Sequence, residues 1–174
     1  MKRKKKKIIE KTSTYVFIDA TNIIYGTKRL GWRMDFEKLA KYLWERFNAK
    51  RILYYAGVDD ENKKQLKFYE KLQDFGYSLR LIPVKRFSDG KVKADVDSRM
   101  TFEMMLYINK HDSVIVFTGD GDYYWVIEYL QKNKQSIKLF GSGKSVAREL
   151  KRLLKGNVTD IQLLKQILEL KMKP

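Results

Sequence analysis

One stretch, VIVFTGDGDYYWVI from Val114 to Ile127, restricts the fold more than any other part of the chain. Val114, Ile115, Val116 and Phe117 are continuously apolar instead of alternating, the pattern of a strand covered on both faces as in a parallel sheet. Gly-Asp-Gly-Asp then turns the chain into a helix predicted over 123–132. Asp120 and Asp122 therefore stand at the carboxyl end of a buried strand, where open α/β sheets bind their ligands. A helix cap accounts for one of these aspartates and leaves the second to another purpose.

The pattern recurs at Tyr15 to Ile18, an apolar run that ends in Asp19-Ala20-Thr21-Asn22, so an acid again closes a strand. After a loop holding Gly26 and Gly31, Asp35 starts a helix whose Phe36, Leu39, Leu43, Trp44 and Phe47 recur at helical spacing, with Trp44 read as core. Further strands are predicted over 51–56, 78–84 and 136–140, and helices over 59–75, 95–109, 142–154 and 160–170. Pro83 assigns its strand to a sheet edge or to a strand terminus, because proline cannot donate to a ladder. Ser88-Asp89-Gly90-Lys91 is a turn signal that folds the segment between Arg86 and Lys93 into a short hairpin or flap. In the helix opened by Asp95-Val96-Asp97, the residues Val96, Met100, Met104 and Ile108 form the inward stripe. Glu103 falls near that stripe, where a carboxylate needs a metal or a cationic partner unless it reaches water at the edge. The alternation of strands and helices predicts an α/β protein: a three-layer α/β/α sandwich around a parallel sheet of about five strands. It forms a single domain over 14–174, behind a basic arm over 1–13 whose Lys2 to Lys7 run can bury nothing.

Charge and ligand chemistry narrow the function. With 37 Lys+Arg against 21 Asp+Glu the net charge is +16, which suits a polyanionic partner, nucleic acid first. A surface made lysine-rich for solubility or heat tolerance is the bland alternative. There is no cysteine and a single histidine, His111, so any metal must be held by oxygen ligands. No apolar run has the length of a membrane span and no secretory signal is present, so no membrane and a cytoplasmic location are expected. Gly141-Ser142-Gly143-Lys144-Ser145 has the look of a P-loop, but Lys138 stands where that motif needs its first glycine, and the nucleotide-triphosphate reading falls.

Asp19, Asp97, Asp120 and Asp122 come from three separated segments, with Glu103 as a further candidate. If the strands of Asp19 and Asp120 are neighbours, these carboxylates converge and require a cation to stay charged together. An all-oxygen set selects Mg²⁺ or Mn²⁺, which beside a basic surface points to metal-assisted hydrolysis of a phosphodiester. Lys85, Arg86, Lys91 and Lys93 of the flap, with Lys144 and Arg148, are the expected phosphate contacts. A haloacid-dehalogenase-like phosphatase would need an acid at position 21, which is Thr21. A nucleic-acid-binding or scaffold protein without catalysis explains the charge equally well and leaves the acids unexplained.

FIDATN at Phe17 to Asn22, K-x-x-V-D at Lys93 to Asp97 followed by Glu103, TGDGDY at Thr118 to Tyr123 and S-x-A-x-E-L at Ser145 to Leu150 together resemble the NYN domain, the LabA-like branch of the PIN-like nucleases. The resemblance spans roughly residues 14 to 165 and departs from the family pattern at Ala94 and Glu103. It implies a sheet ordered 3-2-1-4-5 and a Mg²⁺- or Mn²⁺-dependent ribonuclease cutting RNA. It also implies an acidic site of Asp19, Asp97, Asp120 and Asp122, Asn22 as orienting polar group, Glu103 as an added ligand and RNA as partner; a homodimer is a further option.

Overall fold

The computed structural model describes residues 13–90 and 92–171. In chain order its elements are β1 (Thr14–Asp19), α1 (Ala20–Arg29), α2 (Phe36–Phe47), β2 (Ala49–Val58), α3 (Lys63–Asp74), β3 (Ser78–Pro83), β4 (Lys85–Arg86), β5 (Val92–Lys93), α4 (Val96–Leu106), β6 (Ser113–Phe117), α5 (Tyr124–Lys132), β7 (Ser136–Gly141), α6 (Arg148–Leu154), β8 (Val158–Asp160) and α7 (Lys165–Leu168). Six strands form one sheet in the order β3-β2-β1-β6-β7-β8, with every neighbouring pair parallel. The order through the first five of these is the expected one, and the sheet has a sixth strand. Of β8, Asp160 falls in the helix expected over 160–170, of which only Lys165–Leu168 is α-helix. The three residues of β8 carry one apolar side chain and no periodic signal, and Asp160 caps the 3-10 turn Ile161–Leu164 that follows.

Both faces of the sheet are covered, as the continuous apolar runs require. Val16, Ile18, Ile115 and Phe117 point into one core with α1, α2, α3 and α7, while Phe17, Val114 and Val116 point into the other with α4, α5 and α6. From β1 the chain winds outward to β2 and β3, and after α4 it returns beside β1 and winds the opposite way. The strand order therefore reverses between β1 and β6, and a crevice opens at their carboxyl ends.

Two local differences from expectation bear on that crevice. The segment holding Gly26 is helix α1 rather than loop, capped by Asp19, whose carboxylate accepts from the Asn22 amide at 3.1 Å. Its sequence ATNIIYGTKR mixes a glycine with β-branched residues and forms a poor helix by propensity; burial of Ile23 in the core and of Gly26 against Ser142 and Ile161 decides the matter. Helix α6 starts at Arg148, not Ser142, because Ser142 to Val146 form a turn closed by Ser145 N–H and Val146 N–H to the Ser142 carbonyl. Pro83 ends β3, which is an edge strand, and β4 and β5 form the antiparallel flap predicted from its turn residues. Trp44, read as core, is 43% exposed and lies over Gly76, whose positive φ of 86° turns the chain after α3. The basic run Lys2 to Lys7 lies outside the described residues.

Candidate metal centre

The crevice at the strand reversal is lined by acids from three elements. Asp19 ends β1, Asp97 lies in the first turn of α4, and Asp120 and Asp122 lie on the turn after β6. Asp97, Asp120 and Asp122 each turn a carboxylate oxygen to a common point, all within 4.8 Å of one another. Asp97 and Asp120 are half-buried and Asp122 is exposed, so the cluster opens to solvent on one side.

Asp19 lies deeper, at 2% exposure, beside this trio. Burial raises its pKa above the ordinary carboxylate value, and the charges of Asp97 and Asp120 push the same way; the backbone and side-chain hydrogen bonds from Asn22 oppose them. Those bonds run from Asn22 N to Oδ1 at 3.1 Å and from Asn22 Nδ2 to Oδ2 at 2.7 Å. Asn22 Oδ1 in turn accepts from the Gly119 amide at 3.1 Å, so one amide side chain fastens the end of β1 to the turn after β6. The orienting part expected of Asn22 is thus visible as a bridge. Thr118, fully buried, accepts from the Asp120 amide at 3.2 Å, and Asp120 Oδ1 accepts from the Asp122 amide at 3.0 Å. Asp19 and Asp120 are therefore cap residues and members of the acidic crevice at once.

One participant was not anticipated. Tyr123, fully buried, donates its hydroxyl to Asp97 Oδ1 at 2.8 Å and so holds α4 against the β6 turn. Burial, the nearby charges of Asp19 and Asp97, and the bond it donates raise its pKa far above the ordinary tyrosine value, which keeps it a donor. Its place in TGDGDY was visible in the sequence, but nothing local pointed to an acid 26 residues away.

Glu103 corrects an expectation. It lies at 1% exposure, but its oxygens face Arg80 Nε at 2.7 and 2.9 Å, Arg99 Nη2 at 2.7 Å and the Tyr55 hydroxyl at 3.0 Å. Burial alone would raise its pKa; the hydrogen bonds from Arg80, Tyr55 and Arg99 outweigh that and hold it below the usual glutamate value. The positive partner that such a carboxylate needs is a pair of arginines, and Glu103 stands apart from the trio although Asp97 is in the first turn of α4. Six residues of helix separate the two acids by about 240°.

The basic candidates divide. Lys85 and Lys93 face each other across the flap ladder and are exposed. Arg86 is drawn back to Asp59 at 2.7 Å, with Glu61 at 3.9 Å, so it is paired rather than free for a phosphate. Lys91 lies outside the described residues, and Lys144 and Arg148 are exposed beyond the end of β7. The P-loop reading fails in space as well: a Cβ on Gly141 would stand 2.5 Å from Val146 Cγ2 and 2.6 Å from the Thr118 carbonyl, so this glycine is packed shut instead of cradling a ligand.

The donor set fits a hard divalent cation. Three convergent carboxylates, paired with no lysine or arginine among the described residues of a chain of net charge +16, offer only oxygen, and no cysteine exists to bind a softer ion.

The model of the NYN domain matches residues 13–162, which include every acid of the crevice. The chain belongs to the NYN domain family. This NYN domain is 28% identical over 153 residues to the Low amplitude and bright protein LabA of Synechococcus elongatus, covering 83% of the present chain and 79% of that protein. Its fold is shared with a crystal structure of VPA0982, a protein of unknown function from Vibrio parahaemolyticus. That similarity has a TM-score of 0.78 at 21% identity and covers 91% of this chain and 96% of the other. The NYN domain carries the PIN-like nuclease fold, and among the described residues no helix is long and apolar enough to cross a membrane.

Proposed function

We propose that this protein is a metal-dependent ribonuclease that hydrolyses RNA phosphodiester bonds. The observation that carries this reading is the convergence of Asp97, Asp120 and Asp122 within 4.8 Å on a chain of net charge +16. An acidic pocket on so basic a protein is costly unless a cation belongs in it, and the surrounding positive charge attracts the substrate. Asp97, Asp120 and Asp122 would hold Mg²⁺ or Mn²⁺, which when bound would lower the pKa of a water and offset negative charge on the phosphate.

The remaining residues set the stage. Tyr123 holds Asp97, Thr118 and the Asp122 amide hold Asp120, and Asn22 ties the buried Asp19 to the Gly119 turn, so the acids are aimed before substrate arrives. Asp19, beside the trio, would add to its hold on a cation once ionised. Lys85, Lys93, Lys144 and Arg148 remain available to phosphates. A ribonuclease working through the 2′-hydroxyl needs a general acid and base near neutral pKa. The single histidine, His111, is 6% exposed and precedes the amino end of β6, away from the crevice. Products with 5′-phosphate and 3′-hydroxyl ends follow.

Incubation of a labelled RNA with Mn²⁺ or Mg²⁺ tests this. Wild type cuts it and chelator stops the cutting, while Asp120→Asn keeps the fold and RNA binding and abolishes turnover. Cleavage in excess chelator, or 2′,3′-cyclic phosphate ends, would sink the mechanism. RNA binding without cleavage under any divalent ion would mark the protein as a non-catalytic RNA binder.

A further inference from the structure

Two adjoining depressions lie beside the acids on the flap side. The nearer, about 320 Å³, is walled by Lys85, Phe87, Lys93 and Asp97. The farther, about 850 Å³, lies between the edge strand β3 and α4, with Arg80, Pro83, Arg99 and Phe102 among its walls. Both are lined by Lys85 and Asp95, so they adjoin there, and we take them together as a trough that starts at a member of the acidic trio.

Its lining combines positive charge with bare aromatic rings. Arg80, Lys85, Lys93 and Arg99 outnumber Asp95 and Asp97 along it. Beneath Arg80 and Arg99 lies the single carboxylate of Glu103, so two guanidiniums share one negative charge and a positive surplus remains at the wall. Glu103 engages Nε and Nη2 of Arg99, whose side chain makes no other hydrogen bond among the described residues; a half-exposed guanidinium is thereby locked in place with donors to spare. Phe87 is 51% exposed and Phe102 58%, each an apolar ring left in water. On α4, Met105 and Leu106 are exposed too, so beyond Ser98 and Arg99 the outer face of this helix is largely apolar.

We propose that this trough is the track along which a single-stranded RNA reaches the acids, with Phe87 and Phe102 stacking on unpaired bases and Arg99 meeting a backbone phosphate. The proposal rests on the reading of the acids as a ribonuclease centre and adds where the strand runs and what grips it. Aromatic faces gain from bases only when those are splayed from a helix, which selects single strands over duplex. The unpaired edge of β3 also suits an extended peptide, but the net positive lining and the direct run to Asp97 favour a polyanion.

Fluorescence anisotropy of a short labelled oligoribonucleotide and of the matching duplex, in chelator to prevent turnover, tests the track independently of cleavage. Phe87→Ala and Phe102→Ala are each expected to weaken single-strand binding about tenfold. They leave the duplex, the salt dependence and the melting curve as in wild type, since both rings are exposed. Arg99→Ala should lower the slope of log affinity against log salt by about 0.7, the loss of one phosphate contact. Single-strand affinity unchanged in the Phe87→Ala/Phe102→Ala double variant would overturn the proposal and leave the trough to a protein ligand. Equal losses on strand and duplex would overturn the stacking. If the wild type binds single strands as described yet never cuts them, the track stands and the catalytic reading alone falls.

Discussion

Replacing Glu103 with Gln separates a structural carboxylate from a metal ligand. In the wild type the side chain receives Arg80, Arg99 and Tyr55 at 2.7 to 3.0 Å while almost wholly excluded from water. Glutamine keeps the shape, removes the charge and turns an N–H₂ toward a group that already donates. Breaking a buried ion pair by removing one partner costs about 3–5 kcal/mol. The Arg99 side chain is 53% exposed and can turn to solvent, whereas Arg80 at 22% is less free, which sets the expectation at the low end, about 3 kcal/mol. For a chain of this length that lowers the melting temperature by about 6–12 °C. The sign with pH follows from the depressed pKa of Glu103. Its contribution is complete above the unfolded value of about 4.3 and is lost as pH falls through the lower folded value, so the gap between variant and wild type closes in acid. Thermal unfolding by circular dichroism at pH 7 and in acid measures the gap, and calorimetric titration with Mn²⁺ measures ion affinity, expected to be unchanged. A melting temperature within about 2 °C of wild type at pH 7, or lost Mn²⁺ affinity with stability intact, would refute this account.

Three further outcomes are expected. Tyr123→Phe keeps the ring and releases Asp97, so Mn²⁺ affinity should fall about tenfold in titration while the melting temperature changes little beyond the loss of one hydrogen bond. Gly141→Ala puts a methyl against the Thr118 carbonyl and Val146, and overpacking against backbone should destabilise by about 1–3 kcal/mol in urea denaturation and shift the Asp120 turn, lowering cleavage as well. His111 is buried and uncharged, its pKa pushed below 6.5 mainly by burial. The unfolded chain therefore binds an extra proton below about pH 6.5, wild-type stability should decline as pH falls through that value, and His111→Phe should remove this part of the slope in urea midpoints measured from pH 7 to 5.

The acids could be read from the sequence because each is placed by a local rule. A continuous apolar run marks a strand covered on both faces, and whatever follows it stands at the strand's carboxyl end; Asp19, Asp120 and Asp122 need nothing more, and Asp97 needs only a helix start. The flap was legible in its turn residues and the edge position of β3 in Pro83. The order of the strands was not local information. It came with the family resemblance, and the hydrogen-bonded register of β1 with β6 is what brings Asp19 beside Asp120.

Tertiary structure alone decided the rest, because periodicity tells which face a side chain takes and not what it meets there. Helix α1 exists against its own propensity because the core takes in Ile23 and Gly26 packs on Ser142 and Ile161, and β8 exists because β7 offers three residues a ladder. Glu103 required a cation by its position on α4, and the sequence was silent on whether that cation would be a metal or an arginine. Arg80 arrives from β3, an edge strand reached across β2, and only the packing of α4 on that side of the sheet sets its guanidinium against Glu103. Tyr123 meets Asp97 for the same reason: the bond joins two segments far apart in the chain, and the strand order that makes them neighbours is a property of the whole sheet.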